Sequence, residues 1–512
     1  MHEHRQTETA CDDDSVEPGV WRYARATRAR VIVDAQDYFD LMQQAMLKAR
    51  QRVLLIGWDF DTRIHLTHGR RWWQKPWKRG YPSRLGSFVP WLTRHNKTLE
   101  IRILKWGAGA LKFLARGAMV LDLLRWFPHK RIDFKFDTAH PIGCSHHQKI
   151  AVIDDQLAIC GGIDMADRRW DTREHREPDP RRRSPGGGAY GPWHDVTMMM
   201  EGPIAGALDD LGRYRWQRAG GKPLAPLHQT RESAWPGGLE AHFENVEIGI
   251  ARTRAEYRGE PAVHEIEKLF LLQIARAKSF IYAESQYFAS RAVAEAISAR
   301  LVEAEPPEIV IVHPATADGW IEAAAMDPAR ARLVRAIREI DEHNRFHLYT
   351  PYAGETPIYV HAKLMIVDDE ILRIGSANFN NRSLRLDGEC DVFIDCARPG
   401  NADACAAIRA LRHSLLAEHC GIDEEVVGPL LERAGSMAGM IAALGDAHTR
   451  HLRPFHPPEL SDVEAALADR ETFDPEEPAE MFQIVPPGRG LFRPGSLLAR
   501  AMNRVNRKRR AR

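Results

Sequence analysis

Apolar residues recur along this chain at two spacings, and the same order of spacings occurs in each half. Residues 36–50 carry apolar side chains three to four positions apart, which predicts an amphipathic helix, and residues 53–56 form a short apolar run typical of a buried strand. Residues 263–278 and 280–282 repeat this helix and strand. The hydrophobic pattern therefore predicts an α/β protein built from two similar halves.

Later in each half, two apolar runs flank a short polar turn. Residues 150–153 and 157–160 flank the first turn, and residues 364–367 and 371–374 flank the second. Apolar runs of this length around a turn predict a pair of β-hairpins, one in each half.

A histidine, a lysine and an aspartate surround each predicted hairpin in the pattern His-x-Lys-x-x-x-x-Asp. The two copies consist of His147, Lys149 and Asp154, and of His361, Lys363 and Asp368. Each residue of the second copy follows its counterpart by 214 residues, and the register continues into Gly161-Gly162 and Gly375-Ser376. Because alternate side chains of a strand share a face, the histidine and lysine of each copy point the same way. The duplication predicts two half-sites, each offering one imidazole and one ammonium.

These motifs, together with the segments Trp193-His-Asp195 and Ile281-Tyr-Ala-Glu-Ser-Gln-Tyr-Phe288, resemble the phospholipase D superfamily and, more narrowly, its phospholipase D proper branch. The resemblance covers roughly residues 35–400. It implies an α/β fold with two tandem phospholipase D-like domains, each a mixed sheet flanked by helices, and one active site at their pseudo-twofold interface.

We expect four segments. They are a flexible N-terminal tail (1–30), a first domain (31–240), a second domain (241–425) and a C-terminal extension with an acidic segment and a basic tail (426–512).

The resemblance implies a reaction through a covalent phosphohistidine. By position we assign His147 as the nucleophile and His361 as the general acid and then the general base, although the two roles could be reversed because both motifs are complete. Lys149 and Lys363 are expected to bind the nonbridging oxygens of a phosphodiester.

Further side chains are expected around these four. The carboxylates that orient the imidazoles match Asp195 and Asp391, with Glu389 as a nearby competitor. Asp154 and Asp368 are expected to be structural, and Glu284 is a further pocket candidate. The expected substrate-binding residues are Asn378, Ser376, Asp164 and Gly162. Asp164 stands where the second half has Asn378, and a carboxylate there repels a phosphate unless it hydrogen-bonds elsewhere.

The leading hypothesis is hydrolysis of the distal phosphodiester bond of glycerophospholipids to phosphatidic acid and a head alcohol, with transfer to other alcohols. The alternatives are a cardiolipin-synthase-like phosphatidyltransferase, another phosphodiesterase or nuclease of the superfamily, and an inactive lipid-binding module. The net charge of +1 gives no general attraction to nucleic acid. We expect no cofactor or metal, and a monomer, because both half-sites lie in one chain.

The longest apolar region, residues 108–127, contains four charged residues and is not expected to span a bilayer. Leu111, Leu114, Ala118 and Leu121 share one helical face, which favours a core-packed helix over an interfacial one. The N-terminus lacks the apolar core of a signal peptide, and the seven cysteines lack Cys-x-x-Cys spacing. These features favour a cytoplasmic protein in a reducing compartment, with a peripheral membrane location left open.

Three segments could contact lipid. Residues 68–81 combine Trp72, Trp73 and Trp77 with five cations, and they suit either a lipid interface or a loop packed on the protein. An insertion at 172–192 carries three consecutive arginines and is expected to be a flexible loop beside the cleft. The basic end, 504–512, could reach anionic lipid or form a disordered tail.

Overall fold

The computed structural model describes residues 17–71, 80–107, 117–228, 232–471, 474–480 and 489–511. Its strands are β1 (Arg22–Val33), β2 (Arg52–Gly57), β3 (Glu100–Trp106), β4 (Ile132–Asp137), β5 (Ile150–Ile153), β6 (Leu157–Gly161), β7 (Trp193–His194), β8 (Val196–Glu201), β9 (Phe243–Arg254), β10 (Val263–His264), β11 (Phe280–Ser285), β12 (Glu308–Val312), β13 (Phe346–Ala353), β14 (Thr356–Pro357), β15 (Tyr359–Val360), β16 (Lys363–Val367), β17 (Ile371–Gly375), β18 (Glu389–Asp395) and β19 (Arg450–Pro454).

The helices are α1 (Ala35–Lys48), α2 (Leu85–His95), α3 (Gly117–Trp126), α4 (Pro203–Arg218), α5 (Glu265–Arg276), α6 (Arg291–Leu301), α7 (Trp320–Ile340), α8 (Ala404–Cys420), α9 (Glu424–Ala434), α10 (Met437–Leu444), α11 (Asp462–Asp469) and α12 (Leu497–Arg510). A π-helical turn occupies Arg382–Leu386 and a 3₁₀ turn Pro478–Glu480.

The main sheet consists of two matching series of strands. The first series is ordered β4-β3-β2-β5-β6-β8-β1, and the second is ordered β13-β12-β11-β16-β17-β18-β9. Strands β1 and β9 pair with each other and join the two series into one mixed sheet. The pairing thus relates the halves by a pseudo-twofold axis between β1 and β9, and the two matching series agree with the two similar halves that the hydrophobic pattern predicts.

Helices cover both faces of this sheet. On one face, α1 and α2 bury apolar side chains against the first half, while α5, α6 and α7 do so against the second. On the other face, α4 and α8 lie over a single apolar cluster that includes residues of both halves. The predicted α/β class, with a mixed sheet flanked by helices, is confirmed.

Both predicted hairpins are present, as β5–β6 and β16–β17. Their turns place the motif aspartates in the left-handed region, with φ of 54° at both Asp154 and Asp368. Each carboxylate accepts three backbone N–H groups at the start of a neighbouring strand: Asp154 from Arg50, Gln51 and Arg52, and Asp368 from Lys278, Ser279 and Phe280. The structural role expected for the two aspartates agrees with these contacts.

The ends of the chain differ from the expectation. Residues 22–30, which the sequence assigns to a flexible tail, form most of β1 and pair with β8 and β9. The basic end is the helix α12 rather than a disordered tail. Leu498, Ala501 and Met502 are buried, and Arg504 and Lys508 pair with Glu339 of α7.

Two other segments also need correction. The insertion at 172–192 is anchored by Arg182, which is buried and pairs with Asp171 and Glu177. Within the apolar region at 108–127, Ala118 is exposed and Leu121 is 57% exposed, so the core-packed interpretation is wrong for both of these residues. Leu111, Leu114 and the tryptophans at 72, 73 and 77 lie outside the described residues. No helix in the described part of the chain is both long and apolar enough to cross a membrane.

Cys396 and Cys405 form a disulfide that the sequence spacing does not predict. Disulfides are typical of oxidising compartments, so this pair does not support the expected reducing environment. The location of the protein stays a prediction.

Candidate active site

Each His-Lys pair lies at the start of a hairpin and is held against the opposite half. The backbone N–H of His147 donates to the carbonyl of Gly388, and that of His361 donates to the carbonyl of His194, both at 2.8 Å. Around these contacts, β7 pairs in parallel with β15 in the second half, and a matching bridge joins His146 to Gly388. Two symmetry-related crossings between the halves therefore bring the motifs together.

Each imidazole is held by a carboxylate from the other half. Nδ1 of His361 lies 2.6 Å from Oδ2 of Asp195, and Nδ1 of His147 lies 3.1 and 3.2 Å from the two oxygens of Glu389. Nδ1 of His147 also lies 3.0 Å from the carbonyl oxygen of Ser376. Such a carboxylate fixes the ring orientation and leaves Nε2 for chemistry.

Strand register explains why Glu389 takes this place. Gly161 of β6 is opposite Thr197, and Gly375 of β17 is opposite Asp391. Residues two positions before Thr197 and Asp391 are Asp195 and Glu389. Glu389 is therefore the counterpart of Asp195, and Asp391 is the counterpart of Thr197.

The assignment of Asp391 as the orienting carboxylate is wrong. Its Oδ1 accepts the backbone N–H groups of Ser376 and Ala377 at 2.9 and 3.1 Å, and its Oδ2 pairs with the buried guanidinium of Arg373. Asp391 thus supports the turn after β17 and does not contact an imidazole through any hydrogen bond of the described residues.

The two lysines are buried beside the imidazoles. Nζ of Lys149 donates to the carbonyl of His147 at 2.7 Å and lies 3.4 Å from Asp164. Nζ of Lys363 donates to the carbonyl of His361 and to Oε1 of Gln286, the latter at 3.1 Å. The expected repulsion between Asp164 and a phosphate is thus offset by Lys149.

The expected substrate-binding residues lie around the same place but have different contacts. The hydroxyl of Ser376 donates to Glu389, which makes Ser376 a support for the carboxylate. A Cβ at Gly162 would lie 2.0 Å from Oδ1 of Asp195, so glycine is needed for this close approach. Asn378 is buried, and its Oδ1 has no hydrogen-bond partner among the described residues. Oδ2 of Asp164 likewise has no hydrogen-bond partner among the described residues, although it lies 3.4 Å from Nζ of Lys149.

Burial sets the protonation of the reactive groups. It lowers the pKa of both His147 and His361 well below the usual value, and the lysines of both halves lower these pKa values further. His147 itself contributes to the lowered pKa of His361, which reflects the closeness of the two rings. Burial also lowers the pKa of Lys363 to about 7.

The pKa values of the two orienting carboxylates are raised rather than lowered. Burial raises the pKa of Glu389 to about 8, with Lys149 opposing it, and raises the pKa of Asp195 to about 6, with Lys363 opposing it. The site therefore combines buried lysines with imidazoles of lowered pKa and carboxyl groups of raised pKa. Binding of an anion would stabilise the buried positive charge of the lysines.

Behind the site lies a buried cluster of histidines and acids that includes Glu284. Nε2 of His194 lies 2.8 Å from Glu284, which also binds His419 and Tyr282. The other nitrogen of His194 lies 2.7 Å from Glu418. Glu284 is therefore a support for the segment preceding Asp195.

The same cluster has the spacing of metal ligands. One group comprises Asp34, His175, His194 and Glu418, and a second comprises His194, Glu284 and His419. Hydrogen bonds from protonated imidazoles to the carboxylates would also account for these short distances. Both nitrogens of His175 face carboxylates, and its pKa is raised to about 9 by its acidic neighbours, Asp34 first, against burial. The acidic neighbours of His194, Glu284 first, also raise its pKa well above the usual value against burial, whereas burial lowers the pKa of His419. We interpret His175 and His194 as charged partners of these carboxylates and His419 as a neutral imidazole.

Some site residues were not predicted from the sequence. The guanidinium of Arg169 lies over the ring of Trp193, 4.2 Å from its centroid, and Trp193 lies 5.2 Å from the ring of His361. Trp58 meets His147 edge-on at 6.1 Å. The segment 281–288 could have indicated Gln286. Trp58 occupies the position in the first half that matches Gln286, because Ile56 pairs with Ile150 as Glu284 pairs with Leu364, and the different side chains hid this match in the sequence.

Comparison with known proteins gives one family and several relatives. Residues 270–405 match the family described as "Cardiolipin synthase, PLD-like domain". The chain is 25% identical to phospholipase D alpha 1 of Nicotiana tabacum over 551 residues, covering 80% of this chain and 66% of the relative. It is also 25% identical to phospholipase D alpha 1 of Arabidopsis thaliana, covering 56% of this chain and 50% of the relative. The chain thus spans about half to two thirds of the length of these relatives.

Among solved structures, the fold is similar to that of phosphatidylserine synthase from Haemophilus influenzae Rd KW20. The TM-score is 0.52 at 11% sequence identity, with 82% of this chain and 96% of the other covered. This likeness concerns the fold and extends over most of both chains.

Proposed function

We propose that this chain, which belongs to the phospholipase D superfamily, is a phosphodiesterase that hydrolyses the distal phosphodiester bond of glycerophospholipids and releases phosphatidic acid and a head alcohol. The observation that carries the proposal is the crossed pairing of His147 with Glu389 and of His361 with Asp195. Each contact joins the imidazole of one half to a carboxylate of the other half, and a buried lysine follows each imidazole two residues later. This arrangement supports one site built from both halves.

The charges of the site suit a phosphodiester. Negative charge develops on the phosphoryl oxygens and on the leaving alkoxide during attack, so the reaction needs cations at the former and a proton at the latter. Lys149 and Lys363 supply the cations, Asn378 supplies an amide, and one imidazole supplies the proton. These groups are sufficient for the reaction without a metal.

The reaction has two displacements. Nε2 of His147 bonds to phosphorus as the bond from phosphorus to the head alcohol breaks, and His361 gives its Nε2 proton to that alcohol oxygen. His361 then takes a proton from water, whose oxygen bonds to phosphorus as the bond to His147 breaks. An alcohol in place of water gives a phosphatidyl alcohol by the same step.

The surroundings of the two imidazoles favour this division of roles. The negative charge of a phosphodiester opposes the lysine charges that lower the pKa of His361, so substrate binding favours protonation of this ring. Asp195, 2.6 Å from Nδ1 of His361, then stabilises the imidazolium needed in the general acid. The Nδ1–H of His147 is shared between Glu389 and the carbonyl of Ser376, a weaker pull that suits a ring that must attack while neutral.

The test is incubation with vesicles of phosphatidylcholine and phosphatidylethanolamine plus a primary alcohol, followed by mass spectrometry of the lipids. Phosphatidic acid and the phosphatidyl alcohol should both form, and His361→Ala should remove both. His343→Ala, which changes an exposed histidine outside the site, is the matched control. Vesicle binding without either product would indicate an inactive lipid-binding module.

A phosphatidyltransferase is the second candidate, because the matching family description names cardiolipin synthase. The same assay with phosphatidylglycerol, which offers both a phosphodiester and free hydroxyls, separates the two. A lipid carrying two phosphatidyl groups as the main product would favour the transferase, and phosphatidic acid as the main product would favour the lipase. Cleavage of single-stranded DNA with no lipid turnover would favour a nuclease.

A further inference from the structure

Helix α3 and the residue that follows it present large apolar side chains to solvent. Leu121 is 57% exposed, Leu124 65% and Phe127 91%. We call these three residues, which follow one another at intervals of three positions, the α3 surface. Exposed large apolar residues that occur singly need no explanation, whereas a group of them marks a binding surface.

The opposite side of α3 is fixed to the protein. Met119, Asp122 and Trp126 are buried. The carboxylate of Asp122 accepts from the guanidinium of Arg84 and the hydroxyl of Thr62, while Nε1 of Trp126 donates to the carbonyl of Gly86 at 3.0 Å. These buried contacts hold the helix with the α3 surface facing solvent.

Aromatic contacts connect the buried side of α3 to the candidate active site. Trp58 meets the ring of His147 at 6.1 Å, and Phe60, two residues later, meets the ring of Trp126 at 6.4 Å. The helix that carries the α3 surface therefore packs close to the His147 half of the site.

Charge around this surface favours an anionic partner. Arg125 and Lys130 are exposed beside the apolar stripe. The sole acidic residue between positions 117 and 131 is Asp122, which is buried and lies 2.5 Å from Arg84 and 3.9 Å from Arg125. Two cations thus face one carboxylate, and Lys130 adds a third positive charge. Apolar side chains flanked by cations match the interface of a bilayer that contains anionic lipid.

We propose that the α3 surface docks this protein on an anionic phospholipid bilayer, with Leu121, Leu124 and Phe127 entering the interface between headgroups and acyl chains. The proposal rests on the proposed function, because a phospholipid substrate lies in such a bilayer. It names the surface that would bring the site to it.

The test is flotation with vesicles of phosphatidylcholine, with and without phosphatidylglycerol. The parent should bind vesicles with phosphatidylglycerol more tightly, and the double variant Leu124→Ser/Phe127→Ser should partition at least about tenfold less. The matched control is Val302→Ser/Val463→Ser, which removes exposed apolar side chains elsewhere, 55% and 69% exposed, and should bind as the parent does. Equal binding by parent and α3 variant, or equal loss in both variants, would overturn the proposal.

A soluble substrate separates this proposal from the proposed function. The α3 variant should hydrolyse a short-chain phosphatidylcholine below its micelle concentration at the parental kcat/KM, while its rate on vesicles falls with its binding. A parent that binds vesicles through α3 but hydrolyses neither substrate would support docking and contradict the lipase. A parent dimer that the α3 variant dissociates in sedimentation velocity would identify a second copy as the occupant and overturn the proposal.

Discussion

The two half-sites share a scaffold but surround their imidazoles differently. His361 has one short contact to a carboxylate, Asp195 at 2.6 Å, whereas His147 shares its Nδ1–H between Glu389 and the carbonyl of Ser376. Glu389 also accepts from the hydroxyls of Ser376 and Ser383. Duplication thus supplies matching positions, and a few neighbouring side chains make the two imidazoles unequal in basicity.

The two lysines also have different partners in the two halves. Lys149 faces the carboxylate of Asp164, and Lys363 faces the neutral amide of Gln286. An ammonium with a neutral partner is free to bind an anion but is more costly to bury. The second half therefore carries the more readily lost charge.

The largest expected effect on catalysis follows from replacing Lys363. The Lys363→Ala variant should lower kcat on phosphatidylcholine vesicles by about 100- to 1,000-fold, because one cation at the developing phosphoryl charge is removed. Lys149→Ala should lower it by a similar factor, since both lysines serve one phosphate. Thermal unfolding measures whether each variant folds, and full activity in either folded variant would contradict a shared site.

The next largest effect separates the catalytic contribution of Glu389 from the structural contribution of Asp391. Glu389→Gln should lower kcat by about 10- to 100-fold with little change in Tm, because it weakens the acceptor of the His147 ring. Asp391→Asn should instead lower stability, by about 3 kcal/mol, because the buried charge of Arg373 loses its partner. Steady-state kinetics and thermal melts on both variants check this split, and the reverse pattern would restore Asp391 as the orienting acid.

A smaller effect is expected in the pH profile. The pKa of Lys363 is lowered to about 7 by burial, so its ammonium is lost as pH rises through that value. The kcat/KM on a soluble phosphodiester should therefore fall above about pH 7. Lys363→Arg keeps its charge and should move this alkaline fall to higher pH, at a lower maximal rate. An unchanged alkaline limb in that variant would assign the fall to another group.

The smallest effect on catalysis is expected at the turn aspartates. Asp154→Asn and Asp368→Asn each weaken three charge-assisted hydrogen bonds to backbone N–H groups, which should cost about 2 kcal/mol of stability. Activity of the folded protein should stay within a fewfold of the parent. A large loss of kcat at unchanged Tm in one variant would show that the two turns are not equivalent.

Much of the fold could be predicted because the duplicated motif repeats both residue types and spacing. The pairing of β1 with β9, which joins the halves, could not be predicted. It depends on residues far apart in the chain, and no local sequence pattern indicates it. Helix α12 was hidden because its many cations resemble a disordered tail, although Leu498 and Met502 pack inward.

The four motif residues of the site were also predictable, but one of their partners was not. Cys390-Asp391-Val392 resembles His194-Asp195-Val196 in sequence, which made Asp391 the apparent match. The glycines opposite Thr197 and Asp391 show that the true register is offset by two residues. Residue identity was misleading where strand register decides which side chain reaches the imidazole.

The most direct test uses a phosphatidyl ester of 4-nitrophenol, whose leaving group needs no proton. In His361→Asn, a burst of about one equivalent of nitrophenol should occur, and mass spectrometry of peptides should find the phosphatidyl group on His147. His147→Asn should give no burst and no adduct. A burst in the His147 variant with the label on His361 would reverse the roles, and unimpaired turnover in both variants would contradict a single site built from both halves.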